Sequence, residues 1–137
     1  VFAGAGVSNR ELCTLATLHA LKDCDICLYD SLIDDSLLDE LPPHAQAIDV
    51  GKRCGAHSKE QHETTKLICD CVRQSKKVVR LKGGDPGIFG RLAEETEALE
   101  KLGIPFRVVP GISALQAATT GTGWPPRAAT TERPSRA

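Results

Sequence analysis

Apolar residues along this chain change their spacing about five times, from strand-like runs to helical intervals of three and four. Val1 to Ala5 predicts a short apolar strand, cut by Gly4 and Gly6. Ser8-x-x-Glu11 has the form of a capping box, followed by a helix whose inward stripe is Leu12, Leu15, Leu18 and Leu21. Asp25 to Asp30, "DICLYD", predicts a second strand. Asp34 to Leu41 reads as a short helix stopped by Pro42-Pro43, and Ala45 to Val50 as a third strand. Ser58-x-x-Gln61 repeats the capping-box pattern, before a helix expected to bury Thr64, Leu67, Ile68, Cys71 and Val72. Lys77 to Leu81 predicts a fourth strand, and Leu92 to Leu102 a helix with Leu92, Leu99 and Leu102 inward. Phe106 to Val109 predicts a fifth strand, and "GISALQAA" a short helix.

This alternation predicts an α/β fold with about five mostly parallel strands and helices on both faces. Ligands of such sheets sit at the carboxyl ends of the strands. The special loops all fall there: Gly4-Ala5-Gly6, Tyr29-Asp30, Gly51-Lys52-Arg53, Gly83-Gly84-Asp85 and Pro110-Gly111. The apolar period ends near Ala118. Residues 1–118 are therefore expected to form the domain, and 119–137, rich in proline and arginine, an atypical disordered tail.

Composition narrows the function. A chain of 137 residues suits one domain, and a net charge of -1 argues against a generic nucleic-acid binder. No apolar run approaches the ~20 residues of a membrane span, and no signal-peptide pattern opens the chain. The expectation is a cytoplasmic protein with reduced thiols. Val1 stands where a complete chain would carry Met, so the sequence reads as a fragment. The pair Cys24-x-x-Cys27 has redox or metal spacing but lies in a predicted strand, where small buried thiols are the simpler reading. His57 and His62 match no common metal spacing, and no metal site is expected.

The loops carry the candidate chemistry. Gly4-x-Gly6 hints at a dinucleotide fingerprint, but its third glycine position holds Asn9. Asp30 closes an apolar strand, either as a cap or as a site carboxylate. Lys52 and Arg53 are either solvated cations or, with Arg80 and Lys82, a basic patch for a polyanion. Gly83-Gly84-Asp85-Pro86-Gly87 lacks the lysine and hydroxyl of a phosphate loop. It offers exposed backbone and one carboxylate, which suits an adenosyl group better than a triphosphate.

Three stretches, "VGKRCGAHSKEQHE", "RLKGGDPGIFGR" and "GIPFRVVPGISA", resemble the uroporphyrinogen-III C-methyltransferases of the tetrapyrrole methylase superfamily. The likeness runs from Val1 to about Ala118. It implies transfer of methyl groups from S-adenosylmethionine to pyrrole carbons of uroporphyrinogen III, leaving S-adenosylhomocysteine and precorrin-2, on the route to sirohaem and cobalamin. By position it implies Gly83, Gly84, Asp85, Ile88, Ser113 and Ala114 as cofactor-binding residues. It implies Asp30 as proton acceptor, Lys52 as proton donor, a tetrapyrrole as partner molecule and a homodimer as assembly.

Two departures stand out. The family's first loop usually reads GAGPGDPELLTL; here it is "GAGVSNRELCTL", with Val7-Ser8-Asn9 in place of Pro-Gly-Asp. The family's continuation into a second α/β domain is replaced by "GWPPRAATTERPSRA". The sequence therefore supports two expectations: a methyltransferase domain holding half the site, or a truncated, non-catalytic α/β module that binds ligand or dimerises without turnover.

Overall fold

The structure is a computed structural model and describes residues 1–51, 57–74, 76–88 and 90–121. Its strands are β1 (Phe2–Gly4), β2 (Ile26–Tyr29), β3 (Gln46–Asp49), β4 (Val78–Lys82) and β5 (Val108–Val109). They form one sheet in the order β3-β2-β4-β1-β5, with every neighbouring pair parallel. Parallel strands need crossovers, and the helices α1 (Leu15–Lys22), α2 (His57–Arg73) and α3 (Leu92–Lys101) supply three of them. A further helix, α4 (Ala114–Gly121), follows β5 and runs across the expected boundary at residue 118. This is the expected α/β architecture.

Alternation along the strands divides the core in two. On one face Ala3, Cys27, Val79, Leu81 and Val109 pack with Leu18, Leu21 and Leu37. On the other, Phe2, Ile26, Leu28, Ile48 and Val78 pack with Ile68, Cys71 and Leu99. Each fully buried Val, Leu, Ile or Phe side chain among them contributes roughly 1.5–3 kcal/mol. Cys24, Cys27, Cys69 and Cys71 are buried free thiols, as their apolar surroundings in the sequence suggested. Burial pushes the Cys27 thiol up to about 12.

Several helix starts differ from expectation. Ser8 does not cap a helix; Asn9 caps a short 3-10 turn, Arg10–Leu12, by accepting from the Glu11 amide at 2.9 Å. The α-helix begins one turn later, where Thr14 accepts from the Thr17 amide at 3.2 Å. That break shifts the helical phase, so Leu12 and Leu15 are exposed and the buried stripe is Thr17, Leu18, Ala20 and Leu21. Ser58 lies inside α2 rather than before it. The expected helix over Asp34 to Leu41 is a 3-10 helix, Asp35–Glu40, capped by Asp34. Leu102 ends exposed beyond α3; the fully buried residues of that helix are Glu95 and Leu99, and Leu92 packs partly buried against the core. Phe106 precedes β5 and meets the Phe2 ring edge-on at 5.8 Å between centroids. Among the described residues, no helix is long and apolar enough to cross a membrane.

Candidate functional site

Three chain segments cross at the carboxyl edge of the central strands. Gly6 and Gly84 exchange backbone hydrogen bonds, N to O, at 3.1 and 2.9 Å. Gly111 packs against both loops so closely that a side chain at Gly4 would place its Cβ 2.6 Å from the Gly84 carbonyl oxygen. Gly84 has a φ of 66°, a conformation that favours glycine. A Cβ at Gly83, by contrast, would meet nothing nearer than the Leu32 Cβ at 3.9 Å. The two adjacent glycines thus serve different ends: Gly84 supplies the left-handed turn, and Gly83 leaves open space.

Asp85 locks this crossing. One carboxylate oxygen accepts from the Gly111 amide at 3.0 Å, the other from the Gly87 amide at 2.9 Å. The loop after β4 is thereby tied to the loop after β5.

Beside the crossing lies a cavity of about 660 Å³. Asp30, Gly83, Gly84, Asp85, Ile88, Ser113 and Ala114 all line it, so seven of the eight residues singled out in the sequence come together. The eighth, Lys52, lies outside the described residues, as do Arg53 and Cys54. Ser113 is 4% exposed, and its hydroxyl oxygen is buried with no hydrogen-bond partner. A buried hydroxyl left unpaired costs about 1–3 kcal/mol, so a partner arriving in the cavity would remove a penalty.

The floor of the cavity is charged. Val78, Arg80 and Lys82 share one face of β4, and the face turns from apolar to cationic toward the carboxyl end. Arg80 donates to an Asp30 oxygen at 2.7 Å and to Glu95 at 3.4 Å. Lys82 donates to the other Glu95 oxygen at 3.0 Å. Gln61 of α2 adds a third donor to Glu95, at 3.2 Å. Glu95 is fully buried, and Arg80 and Lys82 are nearly so. Asp30 is therefore held by a buried cation. The expectation of Arg80 and Lys82 as an open basic patch is corrected: both are buried on carboxylates. Burial chiefly, and the charge of Arg80 next, hold the Lys82 ammonium below the ordinary lysine pKa, against the pull of Glu95.

Glu95 was not singled out in the sequence, and Gln61 was read only as a capping-box residue. A signal existed for Glu95: two cations at alternate positions of a central strand require a buried counter-charge. The cavity's apolar rim, Leu32 and Leu115, was also missed, and both side chains are strongly exposed.

Comparison with known proteins agrees with this architecture. Residues 1–133 match the family model described as Tetrapyrrole (Corrin/Porphyrin) Methylases. The chain is 48% identical over 125 residues to siroheme synthase 1 of Cronobacter sakazakii, covering 91% of this chain and 26% of that protein. It is 50% identical over 122 residues to siroheme synthase of Photorhabdus laumondii, covering 89% and 26%. The chain thus spans about a quarter of the length of these curated relatives. Among solved structures, cobalt precorrin-4 methyltransferase, a cobalamin biosynthetic enzyme, superposes with a TM-score of 0.76 at 30% identity, over 88% of this chain and 48% of its own. Uroporphyrin-III C-methyl transferase from Thermus thermophilus, complexed with S-adenyl homocysteine, gives 0.73 at 38% identity, over 85% and 49%. With its parallel sheet, its glycine crossing and a match across nearly its whole length, the chain belongs to the tetrapyrrole (corrin/porphyrin) methylases.

Proposed function

We propose that this chain carries part of the active site of an S-adenosylmethionine-dependent uroporphyrinogen-III C-methyltransferase, acting toward precorrin-2. The observation that supports this most is the single cavity that gathers Asp30, Gly83, Gly84, Asp85, Ile88, Ser113 and Ala114. The residues fit the donor. Ser113 offers an unpartnered buried hydroxyl, Gly83 an open backbone, and Ile88 an exposed apolar side chain for the adenosyl group. Asp85 acts on this reading by fixing the loop. When bound, S-adenosylmethionine supplies an electrophilic sulfonium methyl for an electron-rich pyrrole carbon.

The chain's own residues then orient and deprotonate. Arg80 engages one oxygen of Asp30, leaving the other for a proton released from the macrocycle. Lys52 is the proton donor on this reading. Bringing carbon and methyl into line supplies much of the rate. The substrate is a tetrapyrrole, and the working assembly a cytoplasmic homodimer; the sequence likeness alone supports these last two.

Calorimetric titration with S-adenosylhomocysteine tests the reading. Wild type should bind, and Ser113→Ala should weaken binding about 3- to 10-fold, the worth of one neutral hydrogen bond. No heat at millimolar ligand would sink it. A second reading, binding without turnover, is favoured by Val7 and Ser8, which line the cavity where the related loop has Pro-Gly. Binding of S-adenosylhomocysteine with no methylation of uroporphyrinogen III by the full-length protein would select it.

A further inference from the structure

Arg80 and Lys82 share a strand face and a depth of burial, yet their donors are used very differently. All three guanidinium nitrogens of Arg80 are engaged: Nε by Glu95, one terminal nitrogen by the Leu81 and Leu28 carbonyls at 3.1 and 3.5 Å, the other by Asp30. Arg80 is a fixed structural cation. Lys82 has three donors and, among the described residues, one hydrogen-bond partner, Glu95 at 3.0 Å. At 4% exposure, its remaining N–H groups have little access to water, and buried donors are normally paired. What lies beside them is the cavity, which Lys82 lines.

From this we propose that Lys82 is a ligand-binding residue that takes a carboxylate oxygen of the bound ligand. The proposal rests on the functional reading above and adds a contact to it.

The surroundings hold the ammonium for that task. Glu95 anchors it through Oε2, while Arg80 and Gln61 both donate to Oε1. Gly90 lies against the lysine stem; a Cβ there would stand 3.0 Å from Cε. The other carboxylates on the cavity wall are committed elsewhere: Asp30 to Arg80, Asp34 to the Ser36 amide, and Asp85 to two loop amides. Burial first, and the Arg80 charge next, lower the Lys82 pKa, and an incoming carboxylate would offset that cost. Two ligands bring one: the acid side chains of the tetrapyrrole, and the methionine carboxylate of the methyl donor.

The experiment uses the full-length protein and three probes. These are uroporphyrin III followed by fluorescence, S-adenosylhomocysteine by calorimetry, and 5′-methylthioadenosine, which lacks the carboxylate. Lys82→Met should weaken one carboxylate-bearing probe about 10-fold or more, the scale of a charge-assisted hydrogen bond, and leave methylthioadenosine within about twofold. Loss of uroporphyrin III assigns the contact to the macrocycle; loss of S-adenosylhomocysteine assigns it to the donor. Lys82→Met combined with Glu95→Gln removes both charges together and should give the same loss, should the single variant fail to fold. Unchanged affinity for both carboxylate probes overturns the proposal. So does an equal loss of methylthioadenosine, which would mark a collapsed cavity. Wild type that binds none of the three overturns the functional reading as well.

Discussion

Ser8 holds a φ of 67° in the exposed loop after β1, a conformation that costs a side chain with a Cβ about 1–2 kcal/mol. The related loop has glycine at this position. Glycine removes that strain but gives back part of it as freedom in the unfolded chain. Ser8→Gly should therefore stabilise the protein by about 0.5 kcal/mol in urea denaturation; a loss of stability would mean that the hydroxyl holds the loop. Cys27 makes a prediction about pH. Burial raises its thiol from 9.0 to about 12, so above pH 9 the unfolded chain gives up this proton while the folded chain keeps it. The thiol's contribution is intact below pH 9 and falls by up to about 1.4 kcal/mol per pH unit above it. The stability difference between wild type and Cys27→Ala should narrow accordingly between pH 9 and 10.5. A constant difference would mean that the thiol titrates normally within the fold.

Between elements, close backbone packing decides what the loops tolerate. A Cβ at Gly111 would overlap the Gly84 carbonyl oxygen, which cannot move without displacing the loop after β4. Gly111→Ala should cost about 3 kcal/mol, while Gly83→Ala, with open space around it, should stay within about 0.5 kcal/mol of wild type. Equal stabilities would remove the crossing as the reason for Gly111. The sequence made this loop legible, because two glycines at a strand's end are a strong local signal. It also made the strands legible, through apolar runs bounded by polar loops. Glu95 was hidden because "AEETEALE" has the look of a solvated helix face, and its partners Arg80 and Lys82 sit on another element. The burial of Leu12 and Leu15 was misjudged because Cys13 and Thr14 interrupt the helix and reset its phase. Local patterns record propensity; they do not record which element a charged face will meet.

For the whole molecule, strand order is the governing fact. β4 lies between β1 and β2 at the centre, so the loops after β1, β2 and β4 open side by side and the cavity forms where they meet. The same order has a consequence in time. β2 and β3 are neighbours in sequence and in the sheet, so they can pair soon after synthesis. Phe2–Gly4 pairs only with β4 and β5, through Arg80 and Val108 among others. During translation this apolar segment has no strand to join until β4 has left the ribosome. Of the five described strands, the earliest in sequence is the one that must wait longest for a partner.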